Sequence, residues 1–469
     1  MSAPLQLTSA LNTPYIPVTR QPRLVYLLLE TGSSAGDDFL PVNLGLVVDT
    51  SESMHIRLAN EAQFEELARA GALKEVLVDG VPAWESGEIP VKALMRLPRK
   101  IDLVKDALRA AVEQLRSADR FSLVAFASEA TTLIPNTSGA QKQRLLDAIE
   151  RLDHLRLGDK TYIGHGIKLG FEELRRDTSG DRADRLLVFT DGFTLDENDC
   201  RAWAAHARQK RIPISTMGLG GEFNEELMIP IADQTGGEPY LLENADDIPA
   251  AFARELQRAQ AVRYRNLELK LRPAQGVEVR AAYRVRPTIA PLEAINKDGS
   301  YNFPLGNLVA GEEPTLLLEL IAPQRQAGIY RLAQALLACD DPAGNLAGLK
   351  TRADVVVEYT TDPAQAAQQA TQVMHVVEAL SAYKLQQRAQ SDLEAGDVTG
   401  ATQKLQAAAT RLLDMGEEKL AADVKQQAEE LEQHGQADPR LTKKLRYGTR
   451  KLGASHSQST LRRSEGENK

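Results

Sequence analysis

The chain has 469 residues, a length that predicts about three domains of ordinary size. Its hydrophobic content of 43% and charged content of 26% are typical of globular proteins and argue against general disorder, and its longest apolar runs are too short to span a bilayer. The net charge of −9 argues against nucleic acid as a partner of the main body of the protein.

The beginning of the chain and its cysteines bear on the cellular compartment. The first residues, Met-Ser-Ala-Pro-Leu-Gln-Leu, contain neither a basic segment nor an apolar core, so we expect no secretory signal. Cys200 and Cys339 are too few and too far apart to suggest a disulfide framework or a zinc site. Both observations favour a reducing compartment, and we predict a cytoplasmic protein.

Residues 1–41 contain a predicted strand, Arg23–Glu30, after an extended segment that is punctuated by three prolines. We expect these N-terminal strands to join a β-sandwich that is built mainly from a later part of the chain. Residues 262–361 predict that sandwich, because short apolar strands alternate there with clusters of Gly and Pro.

From Val42 to about residue 261, buried strands alternate with amphipathic helices. This alternation predicts an α/β fold, with a doubly wound, mostly parallel sheet that has helices on both faces. In such sheets, ligands bind at the carboxyl ends of the strands. The predicted strands are Val42–Val48, Arg120–Phe126, Arg185–Thr190, Ile212–Met217 and Pro239–Leu242.

Residues 55–100 form a predicted insertion, since a strand-to-helix connection does not need roughly forty residues. We predict a helix over Glu61–Lys74 and then a hairpin over Val76–Trp84 that turns at Asp79–Gly80. A long segment at the ligand-binding edge could grip a target or gate access to a site, and it could equally be plain decoration.

Two C-terminal segments differ sharply in composition. Residues 362–435 are rich in Ala, Gln, Glu and Leu at helical spacing and predict a helical bundle. Residues 436–469 hold nine Lys or Arg against three Asp or Glu and predict a basic disordered tail. Its threonines, Thr442, Thr449 and Thr460, could be targets of a kinase and be read by a phosphothreonine-binding domain. A plain solubilising tail is the alternative.

Three places in the α/β region carry oxygen ligands at the ends of strands or in the loops beside them. The buried run from Val42 ends in Asp49, with Ser51 and Ser53 at alternate positions after it. Thr161 lies in a Gly-flanked loop before a predicted helix, and Asp191 follows another buried strand within Thr-Asp-Gly. Carboxylate and hydroxyl oxygens are hard ligands that suit a small divalent cation.

In these residues the chain resembles the von Willebrand factor type A (vWA) family, in its bacterial multidomain form, over about residues 42–260. The family's metal-ion-dependent adhesion site combines Asp-x-Ser-x-Ser, a loop Thr and a strand-end Thr-Asp-Gly. The resemblance implies that Ser51, Ser53 and Thr161 bind Mg²⁺ (or Mn²⁺ or Ca²⁺) directly, with Asp49 and Asp191 one shell out. It also implies a protein-interaction module, in which an Asp or Glu carboxylate of a partner completes the metal coordination.

Other interpretations of the same residues remain. Ser51 and Ser53 could cap the following helix, and Asp191 could cap a turn. Glu52 stands where many relatives have Gly; it could occupy the open metal position if it points inward, and Lys160 could offset its charge. An Mg²⁺-dependent phosphotransferase or phosphatase with Asp49 as nucleophile is the alternative function, although such enzymes typically need a second Asp where Ser51 stands. We therefore expect that this protein is not an enzyme.

Overall fold

The structure of this protein is a computed structural model, which describes residues 5–33, 39–57, 69, 73–78, 81–86, 97–177, 179–342, 344 and 346–453. Within residues 73–86, it describes the backbone alone. The chain forms two compact units. One unit is continuous except for a short break and comprises residues 41–232 and 238–259; the other comprises residues 1–40, 233–237 and 260–469.

The N-terminal segment contributes three strands to the second of these units. They are β1 (Leu5–Leu11), β2 (Tyr15–Pro17) and β3 (Arg23–Ser33). The last strand contains the predicted run Arg23–Glu30 and extends it by three residues.

The α/β unit follows the predicted alternation of strands and helices. Its strands are β4 (Val42–Asp49), β5 (Leu73–Val78), β6 (Val81–Ser86), β7 (Arg120–Phe126), β8 (Ala130–Ser138), β9 (Ala183–Thr190), β10 (Ile214–Leu219) and β11 (Pro239–Leu242). Its helices are α1 (Lys100–Gln114), α2 (Lys142–Ile149), α3 (Ile163–Leu174), α4 (Glu197–Gln209), α5 (Glu225–Thr235), which runs into the short break, and α6 (Ile248–Gln260).

The strand β4 lies inside a six-stranded sheet with the order β11-β10-β9-β4-β7-β8. It pairs in parallel with β7 on one side and β9 on the other, and all eight of its residues are buried. A strand that is covered on both faces reads as a continuous apolar run, which is the pattern from Val42 to Val48. Asp49 and Thr190 therefore come to the same edge of the sheet, at the carboxyl ends of neighbouring strands.

An antiparallel edge strand was not predicted from the sequence. β8 pairs antiparallel with β7. Most of its residues are only partly buried, so it lacks the continuous apolar run that revealed the central strands. The prediction of a doubly wound, mostly parallel sheet is nevertheless confirmed, since the remaining pairs of this sheet are parallel.

The strands after residue 261 form two sheets together with the N-terminal strands. They are β12 (Val262–Pro273), β13 (Glu278–Arg286), β14 (Ala290–Pro291), β15 (Ile295–Lys297), β16 (Ser300–Val309), β17 (Thr315–Ala322), β18 (Gly328–Asp341) and β19 (Leu346–Thr360). One sheet has the order β1-β3-β17-β13-β14, and the other has the order β15-β16-β12-β18-β19-β2. Apolar side chains of both sheets share one core, as in a β-sandwich.

Helices follow the last strand and pack on one sheet of the sandwich. They are α7 (Pro363–Ala366), α8 (Thr371–Glu394), α9 (Val398–Asp414), α10 (Glu418–His434) and α11 (Pro439–Arg450). Their apolar residues form a single core with Leu28 of β3, Val285 of β13 and Leu317 of β17. The helices and the sandwich thus belong to one compact unit.

The prediction of a disordered tail over residues 436–469 is wrong for its first part. Pro439–Arg450 form a helix whose side chains Leu441 and Leu445 are buried, and Asp438 caps its first turn. The basic composition concealed this apolar spacing of four residues. Thr449 is fully buried and donates a hydrogen bond to the Leu445 carbonyl, so it does not suit the predicted phosphorylation; residues 454–469, including Thr460, lie outside the described part.

The predicted insertion is described only in part. β5 and β6 pair antiparallel with Val78 opposite Val81, which is the pairing that a hairpin at Asp79–Gly80 requires. Most of the predicted helix Glu61–Lys74 lies outside the described residues, and its last two residues, Leu73 and Lys74, belong to the strand β5 instead. Among the described helices, none is long and apolar enough to cross a membrane.

Candidate metal centre

Asp49 ends the central strand and is completely buried. Its Oδ1 accepts a hydrogen bond from the Ser51 backbone N–H at 2.8 Å, and its Oδ2 accepts one from the Thr190 hydroxyl at 2.7 Å. Burial raises the pKa of Asp49 to about 6, the hydrogen bonds from Ser51 and Thr190 oppose that rise, and the charge of Asp191 adds to it. The two hydrogen bonds thus fix the orientation of the Asp49 carboxylate, and its burial makes the ionised form unfavourable in free energy.

The two serines face the second carboxylate of the site. The Oγ atoms of Ser51 and Ser53 lie 3.1 Å apart, and Ser53 Oγ donates to Asp191 Oδ1 at 2.7 Å. Ser51 precedes a short 3-10 helix, Glu52–His55, but its side chain makes no capping hydrogen bond there. The turn after β9 is closed by Thr190, whose hydroxyl accepts from the Gly192 N–H. Helix and turn capping therefore do not account for these side chains.

Thr161 reaches the same edge from the loop before α3. The next residue, Tyr162, donates its backbone N–H to the Ala127 carbonyl at 3.0 Å, and the Thr161 carbonyl accepts from the Leu195 N–H at 3.0 Å. A Cβ placed on Gly192 would lie 3.9 Å from the Thr161 hydroxyl. The loop is therefore held against the segment that follows Asp191, with its hydroxyl beside that segment.

Two charged residues raised by the sequence lie at the surface. Glu52 is exposed, which fits the outward orientation among the two that the sequence allowed. Lys160 is exposed as well, and its backbone N–H donates to Ser128 Oγ at 3.0 Å. Neither of these two charged side chains therefore has to point into the cluster of Asp49, Ser51 and Ser53.

Lys100 is a charged residue of the site that sequence reasoning missed. Its Nζ lies 2.5 Å from Asp191 Oδ2, and the two side chains are 18% and 0% exposed, respectively. It is the first residue of α1 and the last residue of the predicted insertion, and no sequence motif marks a lysine at this place. Its ammonium neutralises one of the two carboxylates from inside the protein.

The position of Lys100 is fixed by its neighbours. Arg99 forms ion pairs with Asp102 and Asp153, and Lys105 forms another with Asp153. The Lys100 backbone N–H donates to the Ile56 carbonyl at 3.2 Å. Arg57 and Arg99 form an isolated antiparallel bridge, so the two ends of the insertion meet directly beside the site.

A further group supports Thr161 from behind. The Thr194 hydroxyl bonds the Asp196 carboxylate and donates to the Thr161 carbonyl, while Asp196 also accepts the backbone N–H groups of Gly164 and His165 at 3.2 Å each. Ligand atoms of His165, Asp196 and Asp199 lie within 4.8 Å of one another. Since Asp196 already anchors the start of α3, its place is explained by the positioning of that loop.

The donor set fits a small divalent cation. Hydroxyls from Ser51, Ser53 and Thr161 and carboxylates from Asp49 and Asp191 come from three separate segments and converge at one edge of the sheet. Oxygen donors of this kind are those that Mg²⁺, Mn²⁺ and Ca²⁺ prefer. Neutral hydroxyls as direct ligands would leave a bound cation most of its charge, and so an affinity for an anionic oxygen.

Comparison with known families agrees with this architecture. The model of the von Willebrand factor type A domain matches residues 95–254, and the model of the Sll0103-like, C-terminal alpha-helical domain matches residues 371–455. These matches support a vWA domain followed by C-terminal helices of the Sll0103-like type. The vWA match includes Thr161 and Asp191, and it begins at residue 95, near the end of the predicted insertion, so it does not include Asp49, Ser51 and Ser53.

Individual relatives match a large part of the chain. The uncharacterized protein sll0103 of Synechocystis is 28% identical over 66% of this chain and 74% of its own length. The uncharacterized protein YfbK of Escherichia coli is 27% identical over 63% of this chain, which spans half of YfbK. A solved von Willebrand factor type A structure from Catenulispora acidiphila shares the fold, with a TM-score of 0.72 at 15% identity, over 95% of this chain and 96% of that one.

These findings define the general class of function. A vWA domain is generally a protein-interaction module, and vWA domains often bind a divalent metal. The comparisons give no positive evidence of catalysis.

Proposed function

We propose that this protein is a metal-dependent interaction module that captures an Asp or Glu carboxylate of a partner protein. The observation that carries the proposal is the contact between the two halves of the site: Ser53 Oγ, from the β4 segment, donates to Asp191 Oδ1, from the β9 segment, at 2.7 Å. Residues 138 positions apart thus face one another through oxygen atoms.

The arrangement supports each step of the capture. Ser51, Ser53 and Thr161 would hold the cation, while Asp49 and Asp191 would bond to its waters or to the ligating hydroxyls. The cation would supply an electrophilic position for an anionic oxygen. Thr190 fixes Asp49, and the Thr161 loop is fixed by Ala127 and Leu195, so the ligands are organised before a partner arrives.

Calorimetric titration of the full chain with MgCl₂ tests the metal site. We expect one Mg²⁺ per chain for the wild type and no measurable binding for Asp49→Asn, which keeps the side-chain volume and removes the charge. Thr161→Ala, which removes a proposed ligand from a less buried position, should weaken binding at least tenfold.

Asp147→Asn is the matched control, because Asp147 is exposed on α2 and bonds Gln143. It should bind Mg²⁺ as the wild type does. Equal Mg²⁺ binding by the wild type, Asp49→Asn and Thr161→Ala, all with unchanged melting temperature, would rule out this metal centre.

A further inference from the structure

Three large apolar side chains surround the candidate metal centre and are open to solvent. Ile56 is 53% exposed, Phe193 is 60% exposed and Leu195 is 63% exposed. Within the described part of the α/β unit, these are the large apolar side chains that are exposed, and all three lie in the loops of the site. Apolar side chains that gather at one functional edge, on an otherwise polar surface, mark an interaction surface.

The backbone holds two of these side chains to the residues of the site itself. The Ile56 N–H donates to the Ser53 carbonyl at 3.2 Å, and the Ile56 carbonyl accepts from Lys100. On the opposite side, the Leu195 N–H donates to the Thr161 carbonyl at 3.0 Å. Phe193 lies two residues after Asp191 in the chain. Ile56 and Leu195 are therefore tied by backbone hydrogen bonds to two different segments of the oxygen cluster, and Phe193 lies close to the third in the chain.

The charges around the cluster restrict what can bind there. Glu52 lies between Ser51 and Ser53, Asp159 lies two residues before Thr161, and Glu129 lies two residues after Ala127, whose carbonyl holds the Thr161 loop. All three are exposed, and they outnumber the exposed Lys160. Their carboxylates would repel a run of acidic residues, whereas a single carboxylate could bind the cation beside the Lys100 ammonium. The surface thus fits one acid with uncharged neighbours.

We propose that the site selects a partner segment in which one Asp or Glu is flanked by large apolar residues. The carboxylate would bind the cation, and its apolar neighbours would cover Phe193 and Leu195 on one side and Ile56 on the other. This inference rests on the proposed metal-dependent capture and adds the chemistry of the partner. Covering the apolar side chains removes them from water, which gives the carboxylate contact its affinity and its selectivity.

Selection from a displayed library of random heptapeptides tests the proposal, with the full chain as bait in Mg²⁺ and, in parallel, in EDTA. We expect Mg²⁺-dependent enrichment of peptides that combine one acidic residue with a large apolar residue within two positions of it. A synthetic peptide of an enriched sequence then serves as the probe in calorimetry.

Two variants separate the sides of the surface. The double variant Phe193→Ser/Leu195→Ser should bind the synthetic peptide at least tenfold more weakly than the wild type, and Ile56→Ser should weaken it several-fold. Leu413→Ser is the matched control, because Leu413 is 58% exposed on α9 of the other unit, and it should bind as the wild type does. Titration of each variant with Mg²⁺ distinguishes loss of the apolar contact from loss of the cation.

The outcomes are distinguishable. Mg²⁺-dependent enrichment of acidic peptides with indifferent neighbours, or equal peptide binding by the wild type and both surface variants, would overturn the apolar selection and leave the metal-dependent capture intact. Enrichment that is the same in EDTA, or that lacks an acidic residue, would overturn the capture and this inference with it. Glu52→Gln should raise affinity for a peptide with a second acid; an unchanged affinity would contradict the role given to the surrounding carboxylates.

Discussion

Lys100 makes the charge of the candidate metal centre unusual at the scale of single residues. Two carboxylates that face each other through hydroxyls would attract a cation strongly, but the ammonium 2.5 Å from Asp191 already neutralises part of that charge. A bound divalent ion and this ammonium would repel one another because both are positively charged, and they would compete for the same carboxylate. In the proposed metal site, Lys100 would therefore weaken the binding of the cation.

Replacing Lys100 by Gln should raise the affinity for Mg²⁺ about tenfold, since removal of one nearby positive charge is equivalent to about 1.4 kcal/mol at a partly screened distance. Calorimetric titration measures the change. Lys168→Gln, an exposed position on α3, is the control and should not alter the affinity. Weaker Mg²⁺ binding by Lys100→Gln would show that the ammonium organises Asp191 for the metal instead of competing with it.

Asp49 predicts a pH dependence of the metal-free protein. Burial raises its pKa from the usual 3.8 to about 6, so between these values the folded state binds more protons than the unfolded state. The free energy of unfolding should then fall as the pH rises from about 4 to about 6, by about 2 to 3 kcal/mol, and level off above that.

Urea unfolding in EDTA across this range measures the effect, with Asp49→Asn as the reference that lacks the titrating group. The wild type should lose stability relative to Asp49→Asn as the pH rises. Parallel curves for the two proteins would mean that Asp49 does not titrate in this window. Saturating Mg²⁺ should reverse the trend, because a cation favours the ionised carboxylate.

The C-terminal helix α11 carries the clearest prediction at the scale of elements. Leu445 is 1% exposed within the core that the helices share with β3, β13 and β17. Leu445→Ala should destabilise the unit by about 2 to 4 kcal/mol through lost burial and a residual cavity. Denaturant unfolding measures this, and Leu413→Ala, which changes an exposed leucine, should cost less than about 0.5 kcal/mol. If Leu445→Ala and Leu413→Ala lowered the free energy of unfolding equally, α11 would lie outside the cooperative core.

The same elements show how far a sequence can be interpreted. The buried runs ending at Asp49 and Thr190 predicted their strands closely, because a strand that is covered on both faces needs apolar residues throughout. The strand β8 was missed because an edge strand needs only a few apolar residues. α11 was missed because its charged residues dominated the composition, although Leu441 and Leu445 kept helical spacing.

The residues of the candidate site also fall into those that the sequence predicted and those that it did not. Asp49, Ser51, Ser53, Thr161 and Asp191 were predicted from motif and order along the chain, and the structure brings them to one edge of the sheet. Lys100 could not have been predicted, because its contact with Asp191 depends on where a long insertion returns to the sheet. Asp196 likewise acts through backbone groups of α3, and short motifs do not record such contacts.

At the scale of the whole molecule, the α/β unit is inserted into the sequence of the other unit, between β3 and β12. We expect residues 41–259, expressed alone, to fold and to bind Mg²⁺ with a Kd within about threefold of that of the full chain, because the proposed ligands all belong to this unit. Circular dichroism and calorimetry check both points.

Deletion of residues 1–33 is the contrasting variant. It removes β3, which lies between β1 and β17 in its sheet, so the remaining sandwich should lose cooperative unfolding. An isolated α/β fragment that aggregates, together with a stable deletion variant, would reverse the assignment of which part folds independently.

The closure of the sandwich unit has a mechanical consequence. The Leu40 N–H donates to the Val262 carbonyl at 3.0 Å, so a backbone hydrogen bond joins the points at which the chain leaves this unit and returns to it. Tension applied to the chain before β3 and after β12 would be carried by the hydrogen bonds of the two sheets. The edge with the candidate metal centre would stay folded under a load that does not pass through it, until the pair Leu40–Val262 separates.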